Sequence, residues 1–150
     1  HFSYSFGERF RGFSNCIAAH RTEGITARAA IETQDDALIP LSTASARELL
    51  SNLEGVTGVV CANDLVALFV YEFAAEHGLR IPEDISIVGF DDSEKCEEVR
   101  PPLTSVRICK KEMGQEAIRI LLRRIQTPDA ASVYLQLATK LIKRQSVRTL

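Results

Sequence analysis

Residues 56–92 read VTGVVCANDLVALFVYEFAAEHGLRIPEDISIVGFDD. The first seven, VTGVVCA, form an almost unbroken apolar run, the pattern of a strand covered on both faces. Asn63-Asp64 stops that strand with two residue types that cap helices well. A helix over 65–77 follows and ends at Gly78, a residue suited to the left-handed position just past a helix. After a turn containing Pro82, ISIVGF at 85–90 is a second buried strand. Two buried strands joined by a helix form a βαβ unit, and this connection requires a parallel sheet.

The alternation of helix and strand signals extends to both sides. Upstream, Ser5-x-x-Glu8 has the form of a capping box, opening a helix with Phe10, Phe13 and Ile17 on one face. A short strand is expected at 28–32, and a second helix at 42–53 with Ala46, Leu49, Leu50 and Leu53 as its stripe. Downstream, the polar stretch after Asp91-Asp92 has room for one helical turn before Pro101-Pro102 stops it. Residues 104–108 are expected to be extended. A helix over 110–125 carries Met113, Ala117, Leu121 and Ile125 on its inward face. Val133, Leu135 and Leu137 alternate with Tyr134, Gln136 and Ala138 as in a strand with one solvated face, and 140–147 can form a last strand. The expectation is one α/β domain over 1–150.

Composition narrows the function classes. The net charge is −2, from 18 basic and 20 acidic residues, so the chain advertises no surface for nucleic-acid phosphates. The four cysteines, Cys16, Cys61, Cys96 and Cys109, form no C-x-x-C pair and have no histidine close by. They are expected to be reduced and mostly buried thiols of a cytoplasmic protein, with no metal site and no cofactor. No signal peptide is visible at the first residue, and no apolar run approaches membrane-spanning length. The phosphate-binding loop motifs G-x-G-x-x-G and Walker A are missing, as is the nucleophile elbow G-x-S-x-G, so no catalytic residue is assigned. In an open parallel sheet, ligands sit beyond the C-terminal ends of the strands. Two strands here end in polar pairs, Asn63-Asp64 and Asp91-Asp92, which marks that edge of the sheet.

The stretch from Cys61 to Arg107 resembles the signature core of the lactose/galactose-repressor (LacI/GalR) family of transcription regulators. Its parts are AND at a helix head, GLRIPEDISIVGFDD, and PPLTSV after a variable loop. ERFRGF at 8–13 is similar to the family's helix that faces the effector, and LIKRQSV at 141–147 to its C-terminal strand. The resemblance implies a three-layer α/β/α Rossmann-like parallel sheet, a type I lobe of periplasmic-binding-protein kind. Residues 1–150 would be the C-terminal lobe of the effector-binding domain, with the first lobe and DNA-binding headpiece upstream. It implies a repressor that binds a small molecule, a sugar or related metabolite, and forms a homodimer that reaches operator DNA through the headpiece. No membrane partner is implied. The alternative is a periplasmic sugar-binding protein of a transporter, which has the same lobe architecture.

By the same resemblance, Asp91 is an effector contact, a carboxylate with several acceptor sites in a partly dry cleft. A loop or capping role is its plainer alternative. Asn63 matches a residue that contacts ligand in sugar-sensing members, yet it also suits a helix cap; Asp64 is expected to take the cap and leave Asn63 freer. Arg9 matches an arginine that forks onto the effector from the first helix, and Ser5 is a further candidate one turn earlier. Leu65, Phe69 and Phe73 are expected to bury the middle helix against the sheet. Val66, Leu68 and Val99 match positions near the family's dimer interface. The chain departs from the family in having no aromatic residue between Arg28 and Leu50, and in placing Ile108 where some sugar-binding members are polar.

Overall fold

The computed structural model describes residues 4–20 and 55–149. Its elements are α1 (Tyr4–Ala19), β1 (Gly58–Val60), α2 (Asp64–Glu76), β2 (Ser86–Asp91), α3 (Lys95–Glu98), β3 (Thr104–Arg107), α4 (Lys110–Gln126) and β4 (Lys140–Ile142). The strands form one sheet in the order β1-β2-β3-β4. The first three are parallel, with Val59 opposite Ile87 and Val88 opposite Thr104, while β4 runs antiparallel to β3. The fold is therefore α/β with a mostly parallel sheet, as the βαβ pattern predicts. The strand expected at 28–32 and the helix expected at 42–53 lie outside the described residues.

The core lies between α2 and the sheet. Ala67, Val70 and Phe73 of α2 pack with Ile87 of β2, Cys61, Cys96 and Leu103, all buried. Gly89 of β2 is required for the close approach of its neighbours. A Cβ there would lie 3.0 Å from the Leu103 Cδ2 atom and closer still to the Asp64 carboxylate. Gly78 takes φ +67 just after α2 and ends it as expected. The tail following β4 is held by Ser146, whose carbonyl accepts from Ile87 N–H (2.8 Å) and whose Oγ accepts from Thr104 N–H (2.8 Å).

Several expectations are corrected. Helix α1 begins at Tyr4, so Ser5 lies inside the helix and is not its cap; the Glu8 carboxylate instead accepts from Arg11 at 2.5 Å. Asn63 is the cap of α2, with extended backbone and its Oδ1 accepting from Val66 N–H at 2.9 Å. Asp64 is already the first helical residue and turns inward. Of the three residues expected to bury α2, Phe73 does so, but Leu65 is 54% exposed and Phe69 half-buried; the small Ala67 and Ala74 are fully buried instead. Val60 of β1 is exposed, so that strand is not covered on both faces by the described residues.

Two differences concern the C-terminal third. Residues 131–139 have no regular structure, and Val133, Tyr134 and Leu135 are exposed, so the alternating pattern there does not build a strand. Alternation promotes a strand only where an edge is available to pair. Helix α4 forms over the expected residues, but none of them is buried. Its apolar stripe of Met113, Leu121 and Ile125 faces outward, joined by Ile118 and Leu122.

Candidate functional site

Three of the residues singled out in the sequence meet at the C-terminal edge of β1 and β2. Asp91 is the last residue of β2, and Asn63 follows β1 at the head of α2. Arg9 comes from the second turn of α1. Its guanidinium donates to the Ala62 carbonyl at 2.6 Å and reaches Asp91 Oδ1 at 3.4 Å. It also lies over the Phe90 ring, 3.8 Å from the centroid, where the ring's negative face attracts a cation. Ser5 lies one turn earlier on α1, and its side chain lies outside the described residues.

Asn63 serves the helix with Oδ1 alone, which leaves its Nδ2 group as a donor. Asn63 and Asp91 line an open concavity together with Leu65, Leu68, Ile108 and Lys110. Its polar groups are the Asp91 acceptor, the Asn63 amide, Asp64, Ser93 and two lysines, Lys95 and Lys110, with the Arg9 fork alongside. Desolvation pushes the Asp91 carboxyl above the ordinary aspartate range, against the pull of Arg9, with Asp64 raising it further.

Behind the concavity sits a buried web. Asp64, 3% exposed, accepts from Ser105 Oγ at 2.6 Å and from Ser93 N–H at 2.7 Å. It thereby ties the head of α2 to β3 and to the loop after β2. Asp92 is turned the opposite way from Asp91 and accepts from Arg144 at 2.8 Å and Arg107 at 2.5 Å. Burial pushes its carboxyl up, but the hydrogen bonds and charges of Arg144 and Arg107 outweigh that and hold it below the ordinary range.

The sequence reading missed Asp64 as a buried anchor, and Lys110 and Leu65 as lining residues. Lys110 was available from the same rule that marked Asp91, since it lies three residues beyond the end of β3. Val66 and Val99 pack against the core from its surface, and Leu68 is half-buried at the concavity. Cys61 and Cys96 are buried, Cys109 is half-buried and Cys16 exposed; the expectation of no histidine near a cysteine is corrected at Cys16, whose Sγ lies 3.9 Å from His20 Nδ1 one helical turn on. Burial pushes the Cys61 thiol up to about 12 and Cys96 up to about 11, so both are poor nucleophiles at neutral pH. Among the described residues, no group of three or more potential ligands could hold a metal ion. None of their helices is long and apolar enough to cross a membrane. The arrangement is thus suited to hydrogen-bonding a polar small molecule.

The sequence pattern of the periplasmic binding protein-like domain matches residues 2–147. The chain belongs to this family, in its LacI-type regulator branch. The HTH-type transcriptional repressor PurR of Vibrio atlanticus (strain LGP32) is 38% identical over 106 residues, covering 71% of this chain and 32% of that repressor. Two solved LacI-type structures are similar in fold. The transcriptional regulator CelR–cellobiose complex has 39% identity and a TM-score of 0.65, covering 69% of this chain and 32% of CelR. A LacI family transcriptional regulator from Enterococcus faecalis V583 with bound ribose has 32% identity and a TM-score of 0.77, covering 98% of this chain and 51% of that one. This LacI-type chain spans about a third to a half of the length of these relatives.

Proposed function

We propose that the chain is the C-terminal lobe of the effector-sensing domain of a LacI-type transcriptional repressor, and that it holds a sugar or related metabolite. The observation that carries this is the meeting of Arg9, Asn63 and Asp91, from three elements distant in sequence, at one edge of the sheet. A carboxylate acceptor beside a planar fork of donors and an amide N–H matches the alternating lone pairs and protons of vicinal hydroxyls. Similar chains hold cellobiose and ribose, which are polyols of this kind.

In this proposal, Ser5 is a fourth contact. The opposite wall of the cleft comes from a first lobe outside residues 1–150, and DNA is reached through a headpiece also outside them. The open concavity and the uncovered apolar stripe of α4 agree with a missing neighbour of the same protein. Leu68, Val66 and Val99 form the contact of a homodimer. The effector acts by binding one arrangement of the lobes better than another, with no bond made or broken, so the domain is not an enzyme. The protein works in the cytoplasm, where its operator is.

The test is isothermal titration of the intact protein with D-ribose, cellobiose, their phosphates and purines, repeated on Asp91→Ala. Loss of this charged acceptor costs about 1.5–3 kcal/mol, so the compound that binds is held about 10- to 150-fold more weakly. Unchanged affinity would remove Asp91 from the site.

A further inference from the structure

The chain leaves β2 through two consecutive residues with positive φ, Asp91 at +100° and Asp92 at +49°. Aspartate tolerates this region better than most side chains, but two in succession persist only where the surroundings hold them. Asp92 has those surroundings. Its side chain is 3% exposed, and each carboxylate oxygen takes its own arginine: Oδ1 accepts from Arg144 and Oδ2 from Arg107. Its N–H donates to Ser105 Oγ at 3.1 Å. Arg107 is the register partner of Asp91 on β3. Arg144 follows β4, is 12% exposed, and donates in addition to the Leu103 carbonyl (2.8 Å) and to Glu97 (3.2 Å). The next residue, Ser93, is held through its N–H by Asp64.

We propose that Asp92 is the positioning residue of the site: pinned between Arg107 and Arg144, it fixes the left-handed turn that aims Asp91 at Arg9 and the concavity. Its bearing on effector binding rests on the assignment of Asp91 as an effector contact. Asp92 meets no ligand itself. Were the turn to relax to negative φ, the direction of the Asp91 Cβ would change, and its carboxylate would leave Arg9. One arginine at the end of β3 and one just after β4 make the direction of Asp91 a property of the whole sheet edge.

The test is hydrogen exchange read by mass spectrometry on the intact protein without added sugar, comparing the parent with Asp92→Gly, Asp92→Asn and Arg144→Met. Glycine discriminates sharply, because it accepts positive φ more readily than aspartate and carries no carboxylate. Residues 89–93 are expected to exchange faster by about tenfold in all three variants, while the α2 peptides stay unchanged. Exchange that is equal or slower in Asp92→Gly would make Asp92 a mere turn residue and overturn the proposal. Should the Asp92 variants fail to fold, Arg107→Met removes only the solvent-facing arm; a smaller acceleration of the same peptides supports the clamp, and no change overturns it. A second arm titrates parent and Asp92→Asn with D-ribose and cellobiose. A parent that binds neither counts against the sugar assignment, and the exchange data still decide the clamp. A parent that binds one, with affinity kept in Asp92→Asn, overturns the positioning role.

Discussion

Asp91 and Asp92 are chemically identical neighbours with opposite electrostatic fates. Asp91 is partly desolvated beside a single, longer Arg9 contact, and its carboxyl is raised. Asp92 is more deeply buried, yet two close arginines lower it. The signs for stability follow. Asp91 holds its proton more tightly folded than unfolded, so the fold gains relative stability as pH falls through its raised pKa toward the unfolded value of about 3.9. Asp92 contributes stability above about 3.9 that is lost as pH falls through its lowered pKa. On acidification Asp91 is therefore expected to lose its charge, and its Arg9 pairing, while the Asp92 clamp persists. Carboxyl-carbon NMR across a pH titration checks this, and one common midpoint for the two residues would contradict it.

At the scale of elements, α2 carries two tasks on one helix. Ala67, Val70, Phe73 and Ala74 fill the core, and the residues between them leave apolar area over. Leu68 is half-buried and is not needed to close that core. In the proposed dimer, Leu68→Glu places a charge against its own copy across a two-fold axis. Sedimentation of the intact variant is expected to show monomer where the parent is dimeric, with the lobe's melting temperature little changed. A persistent dimer that melts earlier would instead make Leu68 a core residue. The helices and strands of 56–108 were legible because periodicity and stop residues are local signals, though the burial expected of the first strand was not met. The inward side of α4 and the fate of 131–139 were not, because an amphipathic pattern says that a face is to be covered without saying by what.

At the scale of the molecule, Asn63 and Asp91 line an open concavity, with Arg9 held against Asp91 beside it. A ligand there stays largely hydrated, and each of its hydrogen bonds contributes about 0.5–1.5 kcal/mol net. Residues 1–150 alone are thus expected to bind the compound selected by the intact protein far more weakly, and to show no specific operator binding given a net charge of −2. Titrating both proteins with that compound and with labelled operator checks this. Equal effector affinity would mean that the chain holds a complete site.

The sequence by itself determined the α/β class, the helix that ends at Gly78, the polar strand ends where the proposed site lies, and the resemblance that named its candidates. Each of these depends on neighbours close along the chain: apolar period, capping chemistry, a polar pair ending an apolar run. Tertiary structure alone decided that Asn63 caps α2 while Asp64 turns inward to Ser93 and Ser105. It alone brought Arg144, 52 residues away, onto Asp92. Two adjacent polar residues offer the same local chemistry, and only the pairing of distant strands fixes which of them meets a buried donor and which faces the opening.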